Sequence, residues 1–240
     1  MSAAFQALAR GMGNLLEPRI LAVLLLPVIG SFLLWAVLTW VFWESWTGLV
    51  AGALRSTVVA GWLQNWSAVW VIDYNAVLAV LIAVLPAMLV TALVITEIVA
   101  MPVIVRFVAE RYYPGLGHSF GGSIAGSIAN ALVAISIFAV LWVITLPLWL
   151  TGVGAVLAPV LTSAYLNQRL FRYDAMADHA DRGEFAQFVH TSRGDLFLLG
   201  ILVSLLLYVP VFNLAVPVLA GLAFTHFSLG RLALMRRTVS

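Results

Sequence analysis

The sequence predicts an all-α integral membrane protein with two full transmembrane helices and two re-entrant, partly inserted helical hairpins; six transmembrane helices is the alternative arrangement. Three observations predict it. Of the 240 residues, 63% are apolar and 9% charged, more hydrocarbon than a compact water-soluble domain can hide, so the solvent must be lipid. The arginines collect beside the long apolar runs, as topology markers do. Two of those runs are broken midway by Pro, Gly or Asn and then lead back to arginine.

Residues 1–18 read as an interfacial helix, because Phe5, Leu8, Met12 and Leu15 recur at helical spacing while Gln6, Arg10 and Asn14 take other faces. Pro18 breaks it. Residues 20–43 form the first span: the run is about bilayer length, longer than a signal-peptide core, and no small-residue cleavage site follows. Trp35, Trp40, Trp43 and Trp46 gather toward its far end as an interfacial belt. From Glu44 to Tyr74 the only arginine is Arg55, with Trp62, Trp66 and Trp70 nearby, which predicts a loop on the non-cytoplasmic surface. Residues 76–105 return as the second span. Arg106, Arg111 and the breakers from Pro114 to Gly122 end it on the Arg-rich side, so the N-terminus is placed inside.

Residues 124–168 form the first hairpin, broken at Leu146-Pro147 and Thr151-Gly152-Val153-Gly154 and returning to Arg169 and Arg172. Residues 196–229 form the second, broken at Pro210, Asn213 and Pro217 and leading to Arg231, Arg236 and Arg237. Its apolar arms of roughly 14 and 10 residues reach about 21 and 15 Å, short of a hydrocarbon core of about 30 Å. Pro159-Val160-Leu161 and Pro217-Val218-Leu219 on the returning arms make a weak internal repeat. Irregular backbone at a hairpin tip is costly against lipid, so the tips call for burial in protein, a partner subunit or a water-filled cavity, and a homo-oligomer is expected. Residues 169–193 are read as a cytoplasmic helical segment, and the chain as one membrane domain over 1–240.

Several function classes drop out. Every basic residue is Arg, twelve against ten acids for a formal charge of +2, too weak and scattered for nucleic acid. The absence of Cys excludes disulfides and thiolate chemistry. No Lys-bearing phosphate loop, nucleophile elbow or metalloprotease helix is present, so the sequence predicts no catalytic residue, no cofactor, no metal site and no enzyme.

Glu97 is the only acid well inside an apolar span, where a charge costs at least about 2.5 kcal/mol on insertion scales; it is a candidate for ion coupling, with a protonated or hydrogen-bonded structural carboxyl as the alternative. Arg106 and Glu110 stand i, i+4 and are expected to make a solvated ion pair. Asp174, Asp178 and Asp181 fall along one helical face, a solvated surface that oxygen chemistry also suits to a divalent ion. His118, His190 and His226 show no zinc-ligand spacing. Gly48-x-x-x-Gly52 and Gly122 to Gly126 offer small faces for helix packing.

Four stretches together resemble the CysZ sulfate permease and etoposide-induced-protein family of membrane proteins: Leu16-Glu17-Pro18-Arg19-Ile20 through Pro27, Ala100-Met101-Pro102 through Glu110, Ala158-Pro159 through Asp174, and Val209-Pro210 through Pro217. The resemblance implies two spans plus two partly inserted hairpins. For bacterial members it implies sulfate uptake; for eukaryotic relatives it implies other roles in the endoplasmic reticulum. Permease members carry a Gly-Leu-Arg-Arg-like stretch after the proline that precedes the first span, whereas Pro18 is followed here by Arg19-Ile20-Leu21-Ala22. Pro27 keeps the nine-residue offset from Pro18, so the register holds while the glycine and the paired arginines are missing. Arg19 and the free amides at Arg19 and Ile20 become the candidate anion site, with a positive-inside anchor as the alternative.

The resulting expectation is a transporter or channel for a small inorganic anion, sulfate first, in the bacterial inner membrane with both termini cytoplasmic. Glu97, Gly152 and Asn213 are its candidate pathway residues, and its partners are the anion, the lipid bilayer and further copies of the chain. The alternative is a non-transporting membrane scaffold or assembly factor that recruits partners through the cytoplasmic segment.

Overall fold

The computed structural model describes residues 3–57, 70–119, 121–209 and 215–239. The described residues form helices joined by short irregular segments: α1 Ala3–Asn14, α2 Pro18–Arg55, α3 Trp70–Tyr112, α4 Ile124–Thr145, a 3-10 turn Leu146–Thr151, α5 Val153–Met176, α6 Arg182–Thr191, α7 Arg193–Leu206 and α8 Val216–Val239. The expected all-α membrane protein is therefore what the chain folds into. Among the described residues four stretches are long and apolar enough to cross a membrane: Pro18–Arg55, Trp70–Ala92, Ala125–Thr151 and Val216–Thr238. The backbone divides into two compact units, Leu24–Glu97 and Met1–Val23 with Ile98–Ser240.

The unit Leu24–Glu97 is an antiparallel pair made by α2 and the first part of α3. The Ser31 hydroxyl donates to the Met88 carbonyl and the Trp35 indole N–H donates to Thr91 Oγ1 at 3.0 Å. At the far end Arg55 meets Asp73 at 2.6 Å, beside a small cluster of Ala51, Ile72 and Ala76. Only 22% of the apolar window of α2 and 17% of that of Trp70–Ala92 are covered by the chain's own protein, so the rest of these faces must meet lipid or another subunit. Neither helix stops where the hydropathy does. α2 has 38 residues, about 57 Å of rise against a core of about 30 Å, and it carries through Glu44 to Arg55; α3 begins at Trp70. Much of the expected loop of residues 44–74 is thus helix, and Trp62 and Trp66 lie outside the described residues. Of the expected indole belt, Trp40 is 83% exposed, while Trp35 and Trp46 turn toward each other at 6.2 Å.

The other unit is built around α8. Its apolar window is 72% buried, enclosed by α1, α5 and α7 and by Met101 and Val105 of α3. Phe171 stacks on Phe224 at 5.7 Å and Phe188 lies against Phe227. The apolar arm read from the sequence as partly inserted in lipid is therefore mostly packed in protein, and its helix continues through Arg231 to Val239. α1 also packs differently from its apolar periodicity. Its buried face is the small one, Ala4, Ala7, Gly11 and Asn14, set against α8, and a Cβ on Gly11 would stand 3.2 Å from the Ala223 amide nitrogen. Phe5 and Met12 stay outward at 45% and 40% exposure, available to a membrane surface.

Within this unit α4 packs on α5, and α7 on α8. In the first, Ser123 caps α4 by accepting from the Gly126 amide at 3.0 Å. The break at Pro147 becomes the 3-10 turn, and Gly152 closes the tip at φ 59°, a left-handed conformation that side chains disfavour. α4 has 22 residues and about 33 Å of rise, long enough to cross. In the second, α7 has 14 residues, about 21 Å, too short to cross alone. Its link to α8 contains Pro210 and Asn213, which lie outside the described residues.

The segment 169–193 is not one helix. α5 ends at Met176, and a turn leads to α6, where Asp181 and Glu184 form a reciprocal capping box. Asp174, Asp178 and Asp181 therefore fall on a helix, a turn and an N-cap and share no face. No metal-holding cluster of three His, Asp or Glu occurs among the described residues.

Candidate functional site

The turn between α1 and α2 positions the first candidate. The Leu15 and Glu17 amides bond back to Met12 and Asn14, and the Glu17 carbonyl then accepts from both Ile20 and Leu21 at 2.9 Å. Pro18 has no N–H to offer. The Ile20 amide is thus already engaged and its side chain is fully buried, which leaves the exposed Arg19 guanidinium and the Arg19 amide at the helix start. The Glu17 carboxylate, which faces the positive end of α2, is held by Arg111 at 3.0 Å. Arg111 also lies 5.6 Å from the Phe107 ring centroid.

One turn earlier, Asn14 is 5% exposed and joins three elements. Its Oδ1 accepts from the Tyr112 hydroxyl at 2.8 Å and its Nδ2 lies 2.8 Å from His226 Nε2. The His226 ring stands edge-on to Tyr112, 4.8 Å between centroids. Tyr113 donates to the His226 carbonyl at 3.3 Å; burial raises its phenol above the ordinary value, and Arg10, which bonds to it, pulls the other way. α8 thus carries Thr225, His226 and Ser228 almost fully buried, where an apolar lining would otherwise be expected. Replacing Asn14 with Ala strands both the Tyr112 hydroxyl and the His226 ring nitrogen, and we expect a loss of about 2 kcal/mol, readable as a lower midpoint of thermal unfolding in detergent.

The remaining sequence candidates are dispersed. Gly152 sits at an exposed apolar tip between Leu150, 91% exposed, and Val153, 70% exposed, with open space where a Cβ would be. Glu97 is on α3, its side chain outside what the structure describes, as is all of Asn213. Arg106 and Glu110 do not form the expected ion pair; both line a cavity with His118, Asp178 and His179. His118 and His179 are 4.8 Å apart by ring centroid. Burial and His118 together push the His179 imidazole below its ordinary value. The sequence left unread the meeting of Arg10 and Asn14 with the Tyr112-Tyr113 pair and His226. The i, i+4 spacing of Gln6, Arg10 and Asn14 was its only signal.

An all-helical, multi-pass membrane protein with arginine and buried polar side chains gathered at one helical junction is the class that fold and site define. A family model described as Sulfate transporter CysZ/Etoposide-induced protein 2.4 matches residues 7–217, and the chain belongs to that family. No curated protein and no solved structure matches it.

Proposed function

We propose that this protein is a membrane transporter or channel for a small inorganic anion, with sulfate as the first candidate substrate. Membership of the CysZ family over nearly the whole chain is the observation that carries the reading. The local geometry supports it: Arg19 is the exposed cation at the start of α2, next to the Glu17–Arg111 pair, and helix starts favour anions. The permeation path is assigned to assembled copies of the chain, because the exposed apolar tip at Gly152 needs a cover that lipid or a partner subunit supplies. Glu97 and Asn213 remain the polar residues proposed for that path. The membrane is proposed to be the bacterial inner membrane, with both termini cytoplasmic, and no catalytic role is assigned.

Labelled-sulfate uptake into proteoliposomes tests the reading, with empty vesicles and Arg19→Ala beside the parent. The expected result is saturable uptake by the parent and a KM raised about tenfold in the variant, the loss of one charge-assisted contact. Uptake equal to that of empty vesicles for sulfate and for competing small anions would replace this reading with the non-transporting scaffold.

A further inference from the structure

The helix start at Arg19 offers one guanidinium and one amide, but a richer cationic site lies a short way along the same unit. An open cavity of 320 Å³ between α1, the end of α3 and α8 is lined by Arg10, Arg231 and Arg237 with Tyr112, Tyr113 and His226. Among the described residues no carboxylate lines it. Asp195 of α7 reaches one of these, Arg231, at 2.9 Å. Like charges drawn together by a fold repel and attract an anion into the space between them.

Hydrogen-bonding capacity points the same way. Tyr113 bonds to Arg10 and donates to the His226 carbonyl, so Arg10 is held in place before any ligand arrives. Asn14 accepts from Tyr112 through Oδ1, so its amide nitrogen donates to His226 Nε2, and the imidazole carries its proton on Nδ1. That Nδ1 and the Nε of Arg231 are both buried and have no hydrogen-bond partner among the described residues. Both are donors, both belong to side chains that line the cavity, and an unpaired buried donor is costly. A ligand that answers them has to present acceptors and negative charge, which describes a tetrahedral oxyanion and excludes a cation or an apolar guest.

We infer that the cavity between α1 and α8 binds a tetrahedral oxyanion, sulfate or phosphate, free or as the phosphate of an anionic lipid, through Arg10, Arg231 and Arg237. This site is separate from the helix start at Arg19. It goes beyond the transport reading, because binding can be measured where nothing is transported.

The test is calorimetric titration of the purified full chain in neutral detergent with sulfate and with phosphate. The variants are Arg10→Gln, Arg10→Gln with Arg237→Gln, and Arg19→Ala. Arg10 is exposed and outside every salt bridge of the described residues, so its replacement should leave the fold intact, and circular dichroism checks this. We expect binding weakened about tenfold or more in Arg10→Gln, the worth of one charged hydrogen bond, weakened further in the double variant, and one saturable binding event still present in Arg19→Ala, which lacks only the helix-start contact. In parallel, native mass spectrometry from phosphatidylglycerol and phosphatidylcholine nanodiscs separates the sources. A phosphatidylglycerol adduct lost in Arg10→Gln assigns the cavity to a lipid phosphate, and calorimetric binding without such an adduct assigns it to the free anion. Binding unchanged in Arg10→Gln, binding lost only in Arg19→Ala, or neither oxyanion nor lipid bound by the parent would each overturn the inference.

Discussion

Arg236→Ala should lower stability by about 2–3 kcal/mol, because one guanidinium ties together three separate segments. Its Nε and terminal nitrogen hold both carboxylate oxygens of Glu184, at 2.7 and 2.9 Å. The same terminal nitrogen donates to the His179 carbonyl at 2.7 Å and to Ser119 Oγ at 3.0 Å. Glu184 is meanwhile half of the capping box that starts α6, accepting from the Asp181 amide at 2.9 Å. Removing the arginine therefore releases the last turn of α8 from the start of α6 and from the segment at 117–119. Thermal unfolding in detergent measures the loss, and limited proteolysis should show new cleavage around residues 177–183.

The same clamp carries a pH signature. The hydrogen bond from Arg236 is the main reason the Glu184 carboxyl titrates below its ordinary value; burial opposes it and the Asp181 amide assists it. A carboxyl whose folded pKa is depressed contributes stability that is present above its unfolded value of about 4.3 and is lost as pH falls through the folded value. Stability of the parent should decline below about pH 4.3, and Arg236→Ala should flatten that decline. An equally steep acid decline in the variant would show that other groups set it.

The second large effect is a pair of identical substitutions with opposite outcomes. α7 crosses α5 so closely at Gly200 that a Cβ there would stand 2.5 Å from the Ala164 carbonyl oxygen and 3.1 Å from its Cα. Backbone cannot move aside as a flexible side chain does, so Gly200→Ala must part the two helices. The overpacking cost of about 1–3 kcal/mol exceeds the gain of about 1 kcal/mol in helix propensity. At Gly194, in the first turn of the same helix, nothing lies within 4 Å, and Gly194→Ala should be neutral or stabilising by up to about 1 kcal/mol. Unfolding midpoints of the two variants, measured side by side, check the sign of each.

The hairpins show how far local signals reach. Pro147 and Gly152 mark the first tip because a ring without an N–H and a residue free to adopt positive φ act within a few residues. The ends of α2 and α3 were not legible in the same way. Hydropathy falls at Glu44 and rises again near Ala76, yet nothing between Glu44 and Arg55 breaks a helix, and the backbone continues through the polar stretch. The spacing that placed Asp174, Asp178 and Asp181 on one face assumed an unbroken helix. The capping box at Asp181 and Glu184 was in the sequence as Asp-x-x-Glu and marks the restart that the spacing argument passed over.

By itself the sequence determined the solvent and the secondary structure: an apolar share of 63% requires lipid, and long apolar runs with no internal charge require helices. Only the tertiary structure decided which apolar helix faces what. Both α8 and the span Ala125–Thr151 are apolar enough to cross a membrane, yet one is 72% buried and the other 6%, because hydropathy measures the cost of contact with water and does not say whether protein or lipid takes its place. The tertiary structure also decided that Asn14 meets His226 across 212 positions and that Arg10 joins Arg231 and Arg237 at one cavity. Such meetings are set by the register in which α1 lays its small residues on α8; the helical spacing of Ala4, Ala7, Gly11 and Asn14 marks the packed face but names neither its partner nor the register.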